Sequence, residues 1–505
     1  MHPAEHAARN PDKPAVVMAE TGKTMDFATL DALSNASAHQ LRALGLKRGD
    51  VVATLFGNSP EVFVFGWAAQ RSGLYQTAIS SKLSARDVAY ILADSGAKLL
   101  VVSLAHADLA REALANMPDL PAYLWSGSDD RLSDWSAAAA AQPTGRIDDE
   151  SPGTDLLYSS GTTGRPKGVM PALPTGSIDA GTPLTRMGAG LYGMSEDTVY
   201  LSTSPLYHAA PLRWAMAVLQ LGGTVVVMER FDPEEALRLI ERHAITHATF
   251  VPTHFIRMLK LDEQTRAKYD VSSLHAVVHA AAPCPVPVKH AMIDWFGPIV
   301  HEYYSGTESC GITALSSEEW LRKPGSVGRA VLGVVHIVGT DGHELPAGET
   351  GDVFFSDGPA FRYLNDPQKT ADAHDARGWA TLGDIGRLDD DGFLFLSDRR
   401  SFMIISGGVN IYPQEIENLL VTHPAVADVA VIGIPCDEMG EMVLAVVQPA
   451  PGVAGDAPLA AELQTFARRE LGGVKTPKRV DFMDELPREP TGKLFKRKLR
   501  DQYCA

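Results

Sequence analysis

The chain has 505 residues, of which 45% are hydrophobic and 21% charged, with 44 glycines and 33 prolines. This ordinary globular composition excludes a disordered, collagen-like or coiled-coil chain, and at about 150 residues per domain the length predicts roughly three units. Asp and Glu outnumber Lys and Arg by 62 to 45, which leaves a formal charge of −17. The surface should therefore repel nucleic acid and anionic lipid, so neither is expected as a partner.

The N-terminus and the cysteines bear on the compartment. The first residues, MHPAEHAARNPDKPAVV, lack a basic segment followed by an apolar run, and no stretch approaches the roughly 20 apolar residues that span a bilayer. The four cysteines lie far apart without CxxC spacing. Neither structural zinc nor a disulfide framework is expected. We therefore expect a cytoplasmic protein with no membrane span.

Strands and helices alternate along the first part of the chain. Short β-branched runs bounded by turn residues predict strands near Val51, Lys98, Thr224, His275 and Pro298. The clearest helix is FDPEEALRLIERHA: Asp232 can cap it, Pro233 suits the first helical position, and Glu235 completes a capping box. This alternation predicts βαβ units and a largely parallel sheet.

The pattern changes twice in the second part of the chain. From about Val331, short strands separated by glycines predict an antiparallel or barrel-like subdomain. After Asp398, a long apolar run, a polar helix and a basic tail predict a small separate α+β domain. The predicted fold is therefore α/β: a large N-terminal domain (1–400) of βαβ-type sheets plus a barrel-like subdomain, followed by a small α+β C-terminal domain (401–505).

A glycine-rich run, YSSGTTGRPKGV at residues 158–169, carries the strongest chemical signal. Its hydroxyl residues and its double-glycine turn offer side-chain and backbone donors, and Lys167 adds a positive charge. This combination suits a polyphosphate ligand. It is not a Walker loop, because no GK[ST] follows a four-residue gap.

This run resembles the signature loop of the acyl-adenylate-forming superfamily, which comprises acyl-CoA synthetases, peptide-synthetase adenylation domains and firefly-type luciferases. Four more motifs resemble that superfamily in the same order: EYYSGTE at 302–308, TLGDIG at 381–386, ISGGVNIYPQEIE at 405–417 and PREPTGKLFKRKLR at 487–500. The resemblance implies an ATP-dependent acyl-CoA synthetase, an AMP-forming acid–thiol ligase. Such an enzyme adenylates a carboxylic acid with release of pyrophosphate and then transfers the acyl group to CoA.

The resemblance also implies which residues bind the nucleotide. Tyr304 offers an aromatic face to adenine, and Asp384 can accept from two ribose hydroxyls. Mg²⁺ is expected on Glu308 and Thr162. The expected ATP or AMP contacts come from the phosphate loop and the later motifs: Ser159, Ser160, Gly161, Thr162, Thr163, Gly164, Lys167, Ala281, Ala282, Tyr304, Asp384 and Arg399.

Catalysis and acyl binding follow from the same resemblance. Lys493, Thr307 and Glu308 are the expected catalytic residues, and Lys493 should bridge the carboxylate and the α-phosphate in the transition state. Ser401 aligns with the hinge, and it and Phe402 replace the usual polar residues there. Ser305 replaces the usual glycine. The acyl or pantetheine pocket is expected at His208, Trp214, Val251, Ala280, Ser305, Gly306, Gly407 and Gly408.

Several alternatives remain open from the sequence. The expected partners are ATP, CoA and a small carboxylic acid, fatty or aryl-alkanoic, and a homodimer is left open. A freestanding adenylation enzyme that loads a carrier-protein thiol is the alternative, and luciferase-like oxygenation has no separate mark. A nucleotide-binding sensor that has lost turnover is disfavoured by the retained Lys493, Glu308 and Asp384. No carrier domain follows residue 505, which favours free CoA.

Overall fold

The computed structural model of the protein describes residues 2–159, 166–488 and 494–504. In chain order its strands are β1 (Pro14–Met18), β2 (Thr24–Asp26), β3 (Val51–Leu55), β4 (Tyr75–Ala78), β5 (Leu100–Val102), β6 (Ala122–Leu124), β7 (Ser133–Asp134), β8 (Thr154–Asp155), β9 (Leu157–Ser159), β10 (Lys167–Pro171), β11 (Val199–Ser202), β12 (Thr224–Val227), β13 (His247–Phe250), β14 (Ala276–His279), β15 (Val300–Tyr304), β16 (Ile312–Leu315), β17 (Arg329–Leu332), β18 (Val334–Val338), β19 (Gly351–Ser356), β20 (Phe361–Tyr363), β21 (Ala380–Leu388), β22 (Leu394–Arg399), β23 (Ile404–Ser406), β24 (Val409–Ile411), β25 (Val426–Cys436), β26 (Gly440–Pro449) and β27 (Arg479–Phe482).

The helices lie between these strands and cover the sheets. In chain order they are α1 (Pro3–Arg9), α2 (Phe27–Ala43), α3 (Glu61–Arg71), α4 (Ala85–Ser95), α5 (Ala107–Ala113), α6 (Trp135–Ala140), α7 (Pro183–Tyr192), α8 (Ala209–Leu221), α9 (Pro233–His243), α10 (Pro252–Leu259), α11 (Glu263–Ala267), α12 (Val286–Phe296), α13 (Ser317–Arg322), α14 (Pro367–Asp372), α15 (Pro413–Leu420), α16 (Ala457–Leu471) and α17 (Lys496–Tyr503). No helix among the described residues is long and apolar enough to cross a membrane.

Two largely parallel sheets form the body of the N-terminal part, as predicted. One has nine strands in the order β17-β16-β15-β14-β13-β11-β12-β1-β2, and the other has six in the order β7-β6-β5-β3-β4-β8. The five predicted β-branched runs form β3, β5, β12, β14 and β15. Strands buried on both faces are expected to be almost continuously apolar, and β14 fits because its four residues are all buried.

The predicted helix at 233 shows how the sequence sets a local boundary. The Asp232 carboxylate accepts from the backbone N–H of Glu235 at 2.9 Å, and Pro233 occupies the first turn. The predicted capping box is only half formed, because the Glu235 carboxylate instead accepts from Arg238 Nε at 2.8 Å. Ala236, Leu239 and Ile240 are fully buried against the nine-stranded sheet, as the apolar stripe predicts.

The subdomain predicted from Val331 is a four-stranded antiparallel sheet, β18-β19-β21-β22. A smaller three-stranded sheet, β20-β10-β9, joins it to the body through the strand that follows the glycine-rich run. The subdomain is therefore antiparallel, which is one of the two forms that the short strands separated by glycines predicted. Asp384 of β21 contacts Tyr304 at the end of β15, so this subdomain lies against the nine-stranded sheet.

The C-terminal part has its own sheet and core. Strands β23 to β27 pair only with one another, and α15 and α16 pack on them around Ile416, Leu420 and Leu463. A 3₁₀ turn at Arg400–Phe402 precedes this sheet, at the position of the predicted domain boundary. Polar contacts link the two parts. Lys260 Nζ donates to the carbonyls of Val426 and Ala427 at 3.2 and 2.9 Å, and the backbone N–H of Gln414 donates to Asp398 Oδ2 at 2.9 Å.

Candidate active site

The glycine-rich run begins in β9 and ends in β10, and these two ends lie within the described residues. Strands β9 and β10 are antiparallel, and their register pairs Ser159 with Lys167. Ser160, Gly161, Thr162, Thr163 and Gly164, predicted to bind phosphate, lie outside the described residues. The hairpin therefore places Ser159 and Lys167 side by side at the mouth of the loop.

The half-buried side chain of Lys167, on β10, lies over the ring of Tyr363 on the neighbouring strand β20. Its Nζ lies 4.9 Å from the centre of the Tyr363 ring, a favourable place for a cation. Burial lowers the pKa of Lys167, the positive charges of Lys369 and Arg399 add to that effect, and Glu308 opposes it. Lys167 is thus held in a site that already contains both signs of charge.

The Glu308 carboxylate is held by a hydrogen bond on one oxygen and lies close to Gly306 with the other. Oε1 accepts a hydrogen bond of 2.7 Å from the hydroxyl of Tyr363. Oε2 lies so close to Gly306 that a Cβ there would come within 2.7 Å of it. A side chain at position 306 would therefore push against the Glu308 carboxylate and against Leu382. The Glu308 carboxylate has the chemistry that the predicted Mg²⁺ needs, because Mg²⁺ takes one or two protein carboxylates and fills its remaining positions with phosphates and water.

Three predicted nucleotide-binding residues form a second cluster. The hydroxyl of Tyr304 donates to Asp384 Oδ2 at 2.6 Å, and Arg399 Nε lies 3.2 Å from Asp384 Oδ1. Asp384 and Arg399 are paired across β21 and β22. Burial first, and the Asp384 charge second, raise the pKa of Tyr304 well above its ordinary value, so the phenol keeps its proton and donates.

Arg213, on α8, ties the motif at 302–308 to the body, although the sequence did not single it out. Its guanidinium bonds both oxygens of Asp155, at 2.7 and 2.8 Å. The same group reaches the carbonyl of Thr307 at 3.3 Å and the hydroxyl of Ser309 at 2.9 Å. Arg213, held by its bidentate ion pair with Asp155, therefore fixes the turn at Thr307, a residue predicted to be catalytic, from a helix remote in the sequence.

The predicted acyl-pocket residues fall on several elements. His208 precedes α8 and packs edge-on against Tyr207, with ring centres 4.6 Å apart. Burial lowers the pKa of His208 to about 3, and its Nε2 is buried without a partner among the described residues. Val251 is half-buried before α10. The neutral His208 ring can donate or accept a hydrogen bond but cannot carry a charge near neutral pH.

Two predicted site positions have a use that the sequence did not reveal. The hydroxyl of Ser305 donates to the carbonyl of Gly311 at 2.8 Å, so it braces the following turn. Ala281 takes a φ of 74°, a left-handed conformation that is unusual for a residue with a side chain. Ala280 is buried, whereas Ala281 is exposed and Ala282 is half-buried. Because alanine side chains are small, the backbone of this turn is accessible at Ala281.

Three of the predicted C-terminal site residues, Gly407, Gly408 and Ser401, lie within the described part of the chain. Gly407 and Gly408 form the tight turn between β23 and β24, with φ of 57° and 79°, and both are exposed. Such a two-residue hairpin turn requires positive φ at both positions, which glycine adopts without strain. Ser401 is exposed in the 3₁₀ turn. Lys493, the predicted catalytic lysine, lies outside the described residues.

The fold and these clusters define an AMP-binding enzyme. The family "AMP-binding enzyme" matches residues 3–361, and the family "AMP-binding enzyme C-terminal domain" matches residues 415–493. The chain therefore belongs to this family, the acyl-adenylate-forming superfamily that the motifs predicted, and its class is that of the AMP-forming acid–thiol ligases.

Similar proteins cover the chain from end to end. The long-chain-fatty-acid–CoA ligase FadD13 of Mycobacterium tuberculosis is 34% identical over 99% of this chain and 97% of its own length. The fatty acid–[acyl-carrier-protein] ligase ScoC of Streptomyces coeruleorubidus is 33% identical over 99% and 95%. The ATP-bound MatB structure from Rhodopseudomonas palustris is 28% identical, covers 100% of this chain and 99% of its own, and superimposes with a TM-score of 0.83.

Proposed function

We propose that the protein is an ATP-dependent acyl-CoA synthetase acting on a fatty or aryl-alkanoic acid. The observation that carries the proposal is the convergence of Lys167, Glu308, Asp384 and Arg399 from separate motifs. Arg399 bonds Asp384, and the charges of Glu308 and Arg399 both act on Lys167. Such a group of fixed charges suits a nucleoside triphosphate. It also suits the negative charge that develops on the oxygens of the α-phosphate when a carboxylate attacks it.

In the first half-reaction, a carboxylate oxygen of the acid attacks the α-phosphorus of ATP, and pyrophosphate leaves. Ser159 and Lys167 would hold the β- and γ-phosphates, and their pairing across β9 and β10 supports this assignment. Asp384 would accept from the ribose hydroxyls, next to Tyr304, which donates to it. Glu308 and Thr162 would hold Mg²⁺, which would offset phosphate charge. The Thr307 turn, clamped by Arg213, is expected to face the acyl carboxylate. Holding the two reactants in this geometry is the main contribution of the protein.

In the second half-reaction, the CoA thiol attacks the acyl carbonyl, and AMP leaves. The predicted domain alternation would bring Gly407 and Gly408 to the pantetheine arm after Lys493 has served adenylation. The exposure of these glycines supports that proposal, because a turn that serves only one half-reaction must be free in the other arrangement. Ser401, in the exposed 3₁₀ turn, lies where the chain would pivot.

The experiment that tests this proposal separates the two half-reactions. Lys493→Ala should slow ATP–pyrophosphate exchange by about a thousandfold, since it removes a charge used in the transition state. Thioester formation from a supplied acyl-adenylate should change little. Lys23→Ala, at an exposed lysine far from the site, serves as the control and should leave both rates unchanged. Equal loss of both half-reactions would disprove the alternation.

A carrier-protein thiol is the second candidate acceptor, and the similarity to ScoC supports it. Thiol acceptors can be compared directly by AMP release with one acid and either CoA or a phosphopantetheinylated carrier protein. We expect CoA to be the better acceptor. AMP release with either thiol also excludes a sensor without turnover.

A further inference from the structure

The elements that carry the predicted acyl pocket meet in a packed group of aromatic side chains. Trp214 lies on α8, the helix that His208 precedes, and Tyr303 lies two residues before Ser305 on β15. Ala280, Trp214 and Tyr303 belong to one buried core cluster. Tyr303 is not among the residues that the sequence predicted for the site.

The strand register explains why Tyr303 faces this group. Val278 of β14 pairs with His301 of β15, and His279 pairs with Glu302. Side chains two residues apart in a strand point to the same face, so Tyr303 lies on the face of Val278 and His301. Glu302 points to the opposite face, where it meets Lys289. Tyr303 thus turns towards α8 and stands beside the buried Ala280.

Trp214 and Tyr303 are joined by a hydrogen bond in this enclosed space. Nε1 of Trp214 donates to the Tyr303 hydroxyl at 3.2 Å, and the ring centres are 6.0 Å apart. Trp214 is 1% exposed and Tyr303 is 8% exposed. A buried indole N–H left without its acceptor would be costly, so the bond holds the two rings together.

The region behind Trp214 is filled as well. The Tyr192 ring lies 5.8 Å from that of Trp214. A Cβ on Gly188 of α7 would come within 2.9 Å of Met194 and 3.3 Å of the Trp214 ring. Even a methyl group has no room there, so the indole cannot retreat towards α7.

From this packing we propose that the Trp214–Tyr303 pair forms the closed end of the acyl pocket and restricts the enzyme to compact carboxylic acids, with a short aliphatic chain or a single ring. The inference rests on the proposed function, and it narrows the fatty or aryl-alkanoic class to its small members. A long chain would have to displace two large buried rings and break their hydrogen bond. A short chain would end against the rings.

A panel of acids tests the inference on the purified full-length protein. CoA-dependent AMP release is measured with butyrate, hexanoate, benzoate, phenylacetate, octanoate and palmitate. We expect kcat/KM for the best compact acid to exceed that for palmitate by at least about a hundredfold. A single methylene group that does not fit a pocket already lowers kcat/KM by about tenfold or more, and palmitate has many. Palmitate as the best acid overturns the inference and leaves the proposed function standing. No AMP release with any acid overturns both.

Variants at the closed end sharpen the test. Trp214→Leu and, independently, Tyr303→Ala should raise kcat/KM for octanoate relative to butyrate by about tenfold. Tyr303→Phe keeps the ring volume and should keep the wild-type order of chain lengths. Trp320→Leu is the matched control, since Trp320 is 0% exposed but packs on the other face of the sheet. An unchanged chain-length order in both Trp214→Leu and Tyr303→Ala, each verified as folded by thermal unfolding, overturns the inference.

Discussion

At the scale of single residues, Tyr363 connects two motifs that are far apart in the sequence. Its hydroxyl holds Glu308, and its ring lies under Lys167. It reaches them because β20 pairs with β10, which sets Tyr363 opposite Val169, two residues beyond Lys167. The sequence around Tyr363 gives no sign of this role, since a partner across a sheet leaves no local pattern.

Tyr363→Phe should weaken adenylation through the position of Glu308. The change removes the hydrogen bond to the carboxylate but keeps the ring under Lys167. We expect ATP–pyrophosphate exchange to fall about tenfold, the usual effect of one hydrogen bond to a charged group, with a higher Mg²⁺ requirement. Thioester formation from a supplied acyl-adenylate should be nearly unchanged.

Tyr269→Phe is the matched control for this prediction. Tyr269 also donates to a glutamate, Glu234 Oε1, at 2.7 Å, but on the surface beside α9. Exchange should be unaffected by this substitution. If Tyr363→Phe leaves both the exchange rate and its Mg²⁺ dependence at wild-type values, Tyr363 does not position Glu308.

At the scale of the element, a buried ion pair fastens α12 to β15. Lys289 Nζ lies 2.6 Å from Glu302 Oε2, and both side chains are almost completely buried. His279 Nε2 is 3.4 Å from the same oxygen, and the Trp320 ring lies 4.9 Å from Lys289 Nζ. Burial raises the pKa of Glu302, and the Lys289 charge opposes that rise. Because β15 leads into the motif at 302–308, this pair anchors the strand that presents Thr307 and Glu308.

Replacing one residue of the Lys289–Glu302 pair should lower the free energy of unfolding far more than replacing both residues. Lys289→Met leaves the Glu302 charge buried and alone, so we expect a loss of about 3–5 kcal/mol in the free energy of unfolding. The double variant Lys289→Met with Glu302→Leu should recover most of that loss. Urea unfolding of the three proteins measures the difference.

An exposed pair provides the comparison. Lys323 Nζ lies 2.8 Å from Asp389, with 28% of the lysine side chain exposed. Lys323→Met should lower the free energy of unfolding far less than Lys289→Met does, because solvent screens such pairs. A similar loss for Lys289→Met and Lys323→Met would mean that burial adds nothing to the first pair.

At the scale of the whole molecule, buried histidines should make the protein sensitive to mild acid. Burial is the main cause that lowers the pKa of His208 and His254 to about 3 and that of His301 to about 4. The ordinary value is 6.5, so between about pH 6.5 and 4 the unfolded chain binds more protons than the folded one. The free energy of unfolding should therefore fall as the pH drops through this range.

His254→Gln tests the acid effect at one site. His254 stacks on Phe231 with ring centres 3.7 Å apart, and Arg257 also lowers its pKa. The variant should lose less Tm than the wild type between pH 7 and pH 5, whatever its stability at pH 7. His343→Gln, at an exposed histidine, should keep the wild-type slope. Equal slopes for wild type and His254→Gln would contradict the prediction.

The sequence alone determined the class of fold, the order of the motifs and the family. These follow from local patterns: buried parallel strands are continuously apolar, helix ends carry caps, and motif residues are adjacent along the chain. Strands β12, β14 and β15 and the cap at Asp232 were accessible in this way, whereas Tyr304, Asp384 and Arg399 were predicted as site residues by the resemblance of their motifs to the family.

Only the tertiary structure decided which side chains support the motif residues. Arg213, Tyr363, Tyr303 and the Lys289–Glu302 pair act through contacts between elements that are remote in sequence, and such contacts depend on strand register and helix packing rather than on composition. The formal charge of −17 also says nothing about any one site, because it is a sum over the whole chain. The proposed site for a polyanion depends on folding, which brings the positive charges of Lys167 and Arg399 close enough to act on each other within this negative field.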